Sequence, residues 1–217
     1  MFKRLYNCFD INYKYPVYWT DNLFSEKDNV IIDFISNAEL SLVPVPLLIF
    51  IDQGFAEKWA LISEQLKDFT RRNENLVKLL ADPIILPGDE YCKNDFRTVQ
   101  KLIDLSLEHK LCRHSQIWVF GGGAFLDAIG FAASIFHRGV PLLRFPTTSM
   151  GQGDSAVGVK NACNYRGIKN LLGTFAAPAA VFNDGRFLAT LDERDWISGI
   201  AEAFKVAIIK DKEFLLW

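Results

Sequence analysis

Short apolar runs closed by turn residues, each followed by a stretch with helical spacing, set the rhythm of the chain from Val45 onward. Pro46-Leu47-Leu48-Ile49-Phe50-Ile51 ends in Asp52-Gln53-Gly54, the pattern of a parallel strand buried on both faces. Ala56 to about Arg71 then puts Trp59, Ile62, Leu66 and Phe69 on one helical stripe. Pro83-Ile84-Ile85-Leu86 reads as a second strand, ended by Pro87-Gly88. Asp95 to Lys110 reads as an amphipathic helix with Val99, Leu102, Ile103 and Leu107 inward. Gln116–Phe120 predicts a third strand running into Gly121-Gly122-Gly123, with a helix from Ala124 to about Phe136 behind it. Val140–Phe145 predicts a fourth, closed by Pro146-Thr147-Thr148. Upstream, Tyr13–Trp19 alternates as an edge strand or hairpin arm would, and Pro16 favours an edge.

Strand–helix alternation with loops this short predicts an α/β fold: a Rossmann-like, mostly parallel sheet. Such sheets bind ligands at the carboxyl ends of their strands. The loops Asp52-Gln53-Gly54, Gly121-Gly122-Gly123 and Thr147-Thr148 should therefore open on one edge. Gly151 to Pro178, rich in Gly, Asn, Lys and Ser, predicts a long functional loop with short helical turns. Ala179–Asn183 predicts a further strand. Asp192 to about Lys210 reads as one helix, capped by Asp192, with Ile197, Ile200, Ala201, Phe204 and Ile208 as its apolar stripe. Little chain follows to cover that stripe, so the expectation is one part of a longer protein.

With 217 residues, half of them hydrophobic, 23% charged and a formal charge of -2, the composition excludes a disordered chain. The same balance argues against a nucleic-acid-binding domain, which carries a basic face. No apolar run approaches the roughly 18 residues of a membrane span, and the N-terminus lacks a secretory h-region. The four cysteines are scattered, which suits reduced thiols in a cytoplasmic protein. The three histidines, His109, His114 and His137, have no ligand spacing, so no complete zinc site is visible.

Several clusters carry candidate chemistry, each with a plainer alternative. Gly121–Asp127 lies between a strand and a helix, where glycines let the backbone approach a pyrophosphate and the helix N-terminus supplies free amides. The alternative is a tight turn. Asp154–Lys160 and Lys169-Asn170 place two lysines, a carboxylate and an amide in one glycine-bearing segment suited to a phosphate; the alternative is a solvated loop. Glu202 and Lys205 share a helix face, as an ordinary surface ion pair also would. Glu90 and Lys93 follow the second strand with the same alternative. His137-Arg138 occupies the turn before the fourth strand.

Together these segments resemble the 3-dehydroquinate synthase family, the sugar phosphate cyclases. The likeness runs from Gly121 to Lys205: GGGxxxD at Gly121–Asp127, His137-Arg138-Gly139-Val140, Pro146-Thr147-Thr148, Asp154 through Lys160, Lys169-Asn170-Leu171-Leu172-Gly173, and Gly199 through Lys205. Upstream, Asp52 and Glu90-Tyr91-Cys92-Lys93 resemble positions that hold the nicotinamide nucleotide. There Gly54 stands in place of an asparagine, and the Glu90 segment is shifted by one residue.

The resemblance implies an NAD-binding α/β domain over 1–185 and the start of an all-helical metal and substrate domain over 186–217. It implies that Gly121, Gly122, Gly123 and Asp127 hold the NAD pyrophosphate and ribose. Asp52, Glu90, Lys93, Thr147, Thr148, Phe187 and Thr190 would complete the cofactor site. Lys160 and Lys169 would bridge cofactor and substrate. Asn170 and Arg138 would bind substrate phosphate, with Arg138 reaching in from a second subunit of a homodimer. Asp154 and Lys205 would bond substrate hydroxyls, and Glu202 would be one ligand of a divalent metal, zinc or cobalt. The implied reaction is NAD-dependent oxidation of a ring alcohol, phosphate elimination, return of the hydride, ring opening and intramolecular aldol closure.

In this family two metal-ligand histidines follow the Glu202 helix, and this chain has none after His137. The expectation is a truncated member, inactive alone. The implied substrate is a seven-carbon sugar phosphate. The family's branches act on a seven-carbon acid phosphate or on sedoheptulose 7-phosphate. Gly151-Gln152-Gly153-Asp154 and Val159-Lys160-Asn161 depart from dehydroquinate synthase usage, which favours a divergent secondary-metabolism cyclase, with a sedoheptulose 7-phosphate cyclase as the alternative to the dehydroquinate synthase-like reading. An NAD-dependent metal alcohol dehydrogenase and a non-catalytic nucleotide-binding domain are the competing readings.

Overall fold

The computed structural model describes residues 4–38, 42–94 and 96–216. Strand β1 (Val17–Thr20) lies at one edge of the sheet, followed by α1 (Val30–Asn37) and the central strand β2 (Val45–Asp52). Helices α2 (Gln53–Lys58) and α3 (Ile62–Arg72) lead to the short strands β3 (Val77–Leu79) and β4 (Ile84–Leu86). Then come α4 (Arg97–Glu108), β5 (Gln116–Gly121), α5 (Gly123–Ile135) and β6 (Leu142–Pro146). A hairpin, β7 (Lys160–Tyr165) and β8 (Ile168–Phe175), precedes β9 (Ala180–Asp184). Helices α6 (Glu193–Ser198), α7 (Ile200–Lys210) and α8 (Lys212–Leu216) close the described chain.

Seven strands form one parallel sheet in the order β1-β9-β6-β5-β2-β3, with β4 pairing the carboxyl half of β2. Both faces are covered, which is why the strands read as continuous apolar runs. On one face Leu48, Phe50 and Val119 pack under α4 and α5. On the other, Phe120, Phe145 and Phe182, from three adjacent strands, stack with centroids 4.2 and 5.2 Å apart beneath α1 and α3. Burying each such ring contributes about 1.5–3 kcal/mol.

The α/β fold and the parallel sheet agree with the sequence pattern; several elements differ. The helix expected over Ala56–Arg71 breaks at Trp59, whose φ of -118° and ψ of 70° leave the helix, although its stripe continues into α3. Strand β3 and helix α1 carry too short a signal to stand out. Helix α4 begins at Arg97, and Asp95 lies outside the described residues. Its inward face is Thr98, Val99, Leu102 and Ser106, leaving Leu107 61% exposed. The expected long loop is largely the antiparallel hairpin β7–β8. Strand β8 is mostly exposed, with Leu172 and Thr174 half-buried on the α5 side, so its alternation is too short to stand out in the sequence. The expected helix from Asp192 is two, with the Asp192 cap in place (Asp195 N to Oδ1, 3.1 Å). Ser149 Oγ donates to the carbonyls of Asp195 (3.1 Å) and Trp196 (2.9 Å), the acceptors the next helical turn would use.

Candidate functional site

From β2 the chain runs to the sheet edge through β3 and β4, then crosses back to β5 on the other side of β2. The strand order reverses there, and a crevice opens between the carboxyl ends of β2 and β5. A cavity of about 460 Å³ fills it, walled by Asp52, Glu90, Gly122, Gly123, Thr147, Thr148 and Thr190. The three loops expected on one edge thus meet around one space. A more open depression of about 660 Å³, beside Pro44 and Lys78 near the amino end of β2, holds none of the candidate residues.

Close backbone packing shapes this cradle. Asp52 Oδ1 accepts the amides of Gly54 (2.8 Å) and Phe55 (3.4 Å), capping α2. Burial pushes its carboxyl pKa up, against the pull of those amides. A Cβ at Gly88 would lie 2.0 Å from the Asp52 carboxylate, and one at Gly121 would lie 2.6 Å from the Phe125 ring. Gly122 is the N-cap of α5 and no side chain caps that helix. The first amides of α5 therefore face the crevice without an intrahelical or side-chain acceptor, together with the positive end of the helix dipole. These features fit a dinucleotide pyrophosphate.

Asp127, one turn into α5, meets Lys93 from the turn after β4. Lys93 Nζ lies 2.8 Å from Asp127 Oδ2 and 2.6 Å from Asn170 Oδ1 on β8. Burial raises the Asp127 pKa, and Lys93 opposes that shift. Glu90 accepts from Asn164 (3.2 Å) and pairs with Lys169 (3.3 Å). Burial alone would raise the Glu90 pKa, but the Asn164 amide and the Lys169 ammonium hold it below 4.5. Five candidate residues, Glu90, Lys93, Asp127, Lys169 and Asn170, thus form one polar network joining the hairpin to the cradle.

Asp154 lies in the turn Gly151–Ser155, which α7 packs against. Lys205 pairs with Glu202 there, and both the Glu202 carboxylate and the Asp154 charge raise its pKa. Lys160 stands apart. It is exposed at the start of β7 and is not among the cavity walls, because its neighbours Asn161 and Cys163 take the buried face of the strand. The Asp154 end of that segment does approach the cradle, since a Cβ at Gly123 would lie 2.6 Å from Ser155 Oγ. Phe187 is fully buried among Phe55, Trp59 and Phe120, so its ring belongs to the core, while Thr190 reaches the cavity. Arg138 is exposed beyond the far end of α5, with a φ of 68°. The 13 residues of α5 separate it from the cradle by about 20 Å.

The family profile described as 3-dehydroquinate synthase N-terminal matches residues 83–198, just over half of the chain. The chain belongs to the 3-dehydroquinate synthase family.

A 3-dehydroquinate synthase of Nitratiruptor sp. is 45% identical over 134 residues, which cover 62% of this chain and 38% of that protein. That of Nitrosospira multiformis is 32% identical over 203 residues, covering 94% of this chain and 51% of the relative. The chain therefore spans about half or less of the length of these relatives. Among solved structures, ValA, a 2-epi-5-epi-valiolone synthase of Streptomyces hygroscopicus bound to NAD+ and Zn2+, superposes with a TM-score of 0.76. It is 31% identical, and the match covers 97% of this chain and 53% of ValA.

For a member of the 3-dehydroquinate synthase family, the glycines and free α5 amides of this crevice fit the pyrophosphate of a dinucleotide. Among the described residues no group of three or more His, Cys, Asp or Glu side chains gathers to hold a metal. No helix among them is long and apolar enough to cross a membrane. Burial pushes up the thiol pKa values of Cys92 and Cys163, the latter to about 11, and both are unbridged.

Sequence reading missed Arg144, Asn161 and Asn164, all buried. An arginine in an apolar run, or asparagines in a polar loop, gives no sign of burial until the hairpin is folded over α5.

Proposed function

We propose that this chain is the nucleotide-binding portion of a sugar phosphate cyclase that uses NAD and acts on a phosphorylated seven-carbon sugar. The observation that carries the reading is the uncapped N-terminus of α5 behind Gly122 and Gly123, opening into the crevice at the reversal of strand order. NAD held there would supply reversible hydride chemistry at a substrate alcohol. The α5 amides and glycines hold its pyrophosphate, Asp127 its ribose, and Thr147, Thr148 and Thr190 line its pocket. Lys169 and Asn170 present an ammonium and an amide to substrate phosphate at the hairpin side. Asp154 and Lys205 bond substrate hydroxyls where α7 meets the Gly151–Ser155 turn. Glu202 supplies one carboxylate toward a divalent metal whose other ligands lie outside the described residues. Arg138, about 20 Å from its own cradle by the length of α5, serves the site of a second copy in a homodimer.

NAD titration by calorimetry tests the cradle. The wild-type chain should bind NAD, and Gly122→Val, which sets a branched side chain against Thr148, should lose it. Absence of wild-type binding would remove the reading. Phosphate release from the chain alone should be undetectable. The ValA likeness and the Gly151–Asp154 text favour sedoheptulose 7-phosphate as substrate. That choice is decided by supplying the chain with a helical half from a relative. Faster phosphate release from the seven-carbon acid phosphate would reverse it.

A further inference from the structure

Arg144 sits in the middle of β6, level with Val119 of β5 and Val181 of β9, inside an apolar layer of the sheet. It is fully buried. No carboxylate lies within ion-pair distance of it among the described residues. A buried guanidinium without an ion pair is costly unless hydrogen bonds replace its water. Those it makes all go to one stretch of chain: Nη1 donates to the carbonyls of Ala156 (2.8 Å) and Gly158 (2.7 Å), and Nη2 to Asn161 Oδ1 (2.6 Å). Asn161 in turn donates to the Ala176 carbonyl (3.0 Å) at the other root of the hairpin. The fit is closed from above, because a Cβ at Gly130 would lie 2.0 Å from Asn161 Oδ1. The bridged stretch links Asp154 to Lys160, and its continuation carries Lys169 and Asn170.

We propose that Arg144 is the positioning residue of the phosphate-binding side of the crevice. Its planar fork joins the sheet to two carbonyls and an amide, and so sets the course of Ala156–Asn161 and, through the root of the hairpin, the placement of Lys169 and Asn170. It touches neither nucleotide nor substrate. A lysine carries the same charge but cannot make three bonds in those directions. The inference rests on the cyclase reading for what the segment binds, but the ordering of the segment is measurable without it.

The test uses the 217-residue chain with Arg144→Lys and Arg144→Met. Three quantities are read: NAD affinity, amide hydrogen exchange along the chain, and acetylation of Lys169 with and without NAD plus inorganic phosphate. Both variants should retain wild-type NAD affinity. Exchange at residues 157–161 should rise at least about tenfold while β5 stays protected, as local opening requires. Phosphate should slow Lys169 acetylation in the wild type and no longer do so in the variants. If Arg144→Met does not fold, Arg144→Lys carries the comparison. Wild-type exchange at 157–161 in Arg144→Lys overturns the inference. So does equal loosening of β5 together with loss of NAD binding, which marks general support of the core. If phosphate fails to protect Lys169 in the wild type, the cyclase reading fails, and the exchange result still decides the role of Arg144.

Discussion

At the carboxyl ends of β2, β5 and β6 the candidate groups are amides, glycines and half-buried side chains held by their own strands. On α7, Glu202 is paired with Lys205, on a helix whose Phe204, Ile208 and Ile209 are 57%, 67% and 66% exposed. In the first region crossing strands and a helix terminus supply both shape and field within one sheet. The second has chemistry with less enclosure: Glu202 is half-buried, but its Lys205 partner is exposed and the helix face around them is open to water, which screens their forces. Enclosure of a site thus follows here from how many elements of one sheet converge on it.

The sharpest way to break the contrast is Lys93→Met. It strips Asp127 of its partner in a half-buried site and should cost about 3 kcal/mol in urea unfolding. The loss has a definite pH sign. Asp127 already has a raised pKa from burial, so its unpaired charge is unfavourable where it is ionised. The cost should be larger near neutral pH and shrink as acid protonates it. A pH-independent cost would show that Lys93 acts through packing alone.

Next in size is Gly121→Val, which forces atoms against Phe125 and Asp52. It should cost about 2 kcal/mol by overpacking and abolish NAD binding. Unchanged melting and binding would mean the cradle is looser than its geometry.

On the α7 side, Ile208→Glu with Ile209→Glu should leave NAD affinity untouched and reduce the self-association expected from the exposed stripe. Light scattering showing a monomer for both wild type and variant would refute that expectation. The smallest effect is expected for Glu90→Gln. Because the Glu90 pKa is lowered on folding, its ionised form stabilises the hairpin contact above 4.5 and that contribution fades as pH falls through the folded value. The variant should therefore differ slightly from wild type above that range and converge with it in acid, by thermal melts.

The buried strands and the cradle were legible because their signals are local. A run such as Leu47–Ile51 has one environment open to it, and Gly121-Gly122-Gly123 after a strand implies a helix terminus. The hairpin was not legible, since β8 turns only Leu172 and Thr174 toward α5 and is otherwise exposed, too short an alternation to read. Nor were the breaks at Trp59 and Ser198–Gly199, where the apolar stripe continues while the hydrogen-bond ladder does not. Leu107 reads as inward by spacing, but Ser106 holds that place because α4 is rotated to meet α5.

Sequence alone determined the strand–helix alternation, the edge on which the polar loops open, and the family. These follow from burial period, turn chemistry and motif order, which are properties of neighbouring residues. Only the tertiary structure decided that Lys93 is shared between Asp127 and Asn170, that Phe187 is core, and that Arg144 holds the root of the hairpin. The partners in those contacts are separated by 12 or more residues along the chain, so no local pattern encodes them. Hydrogen-bond direction and exclusion of water, set once the hairpin packs on α5, choose among the partners that composition alone would allow.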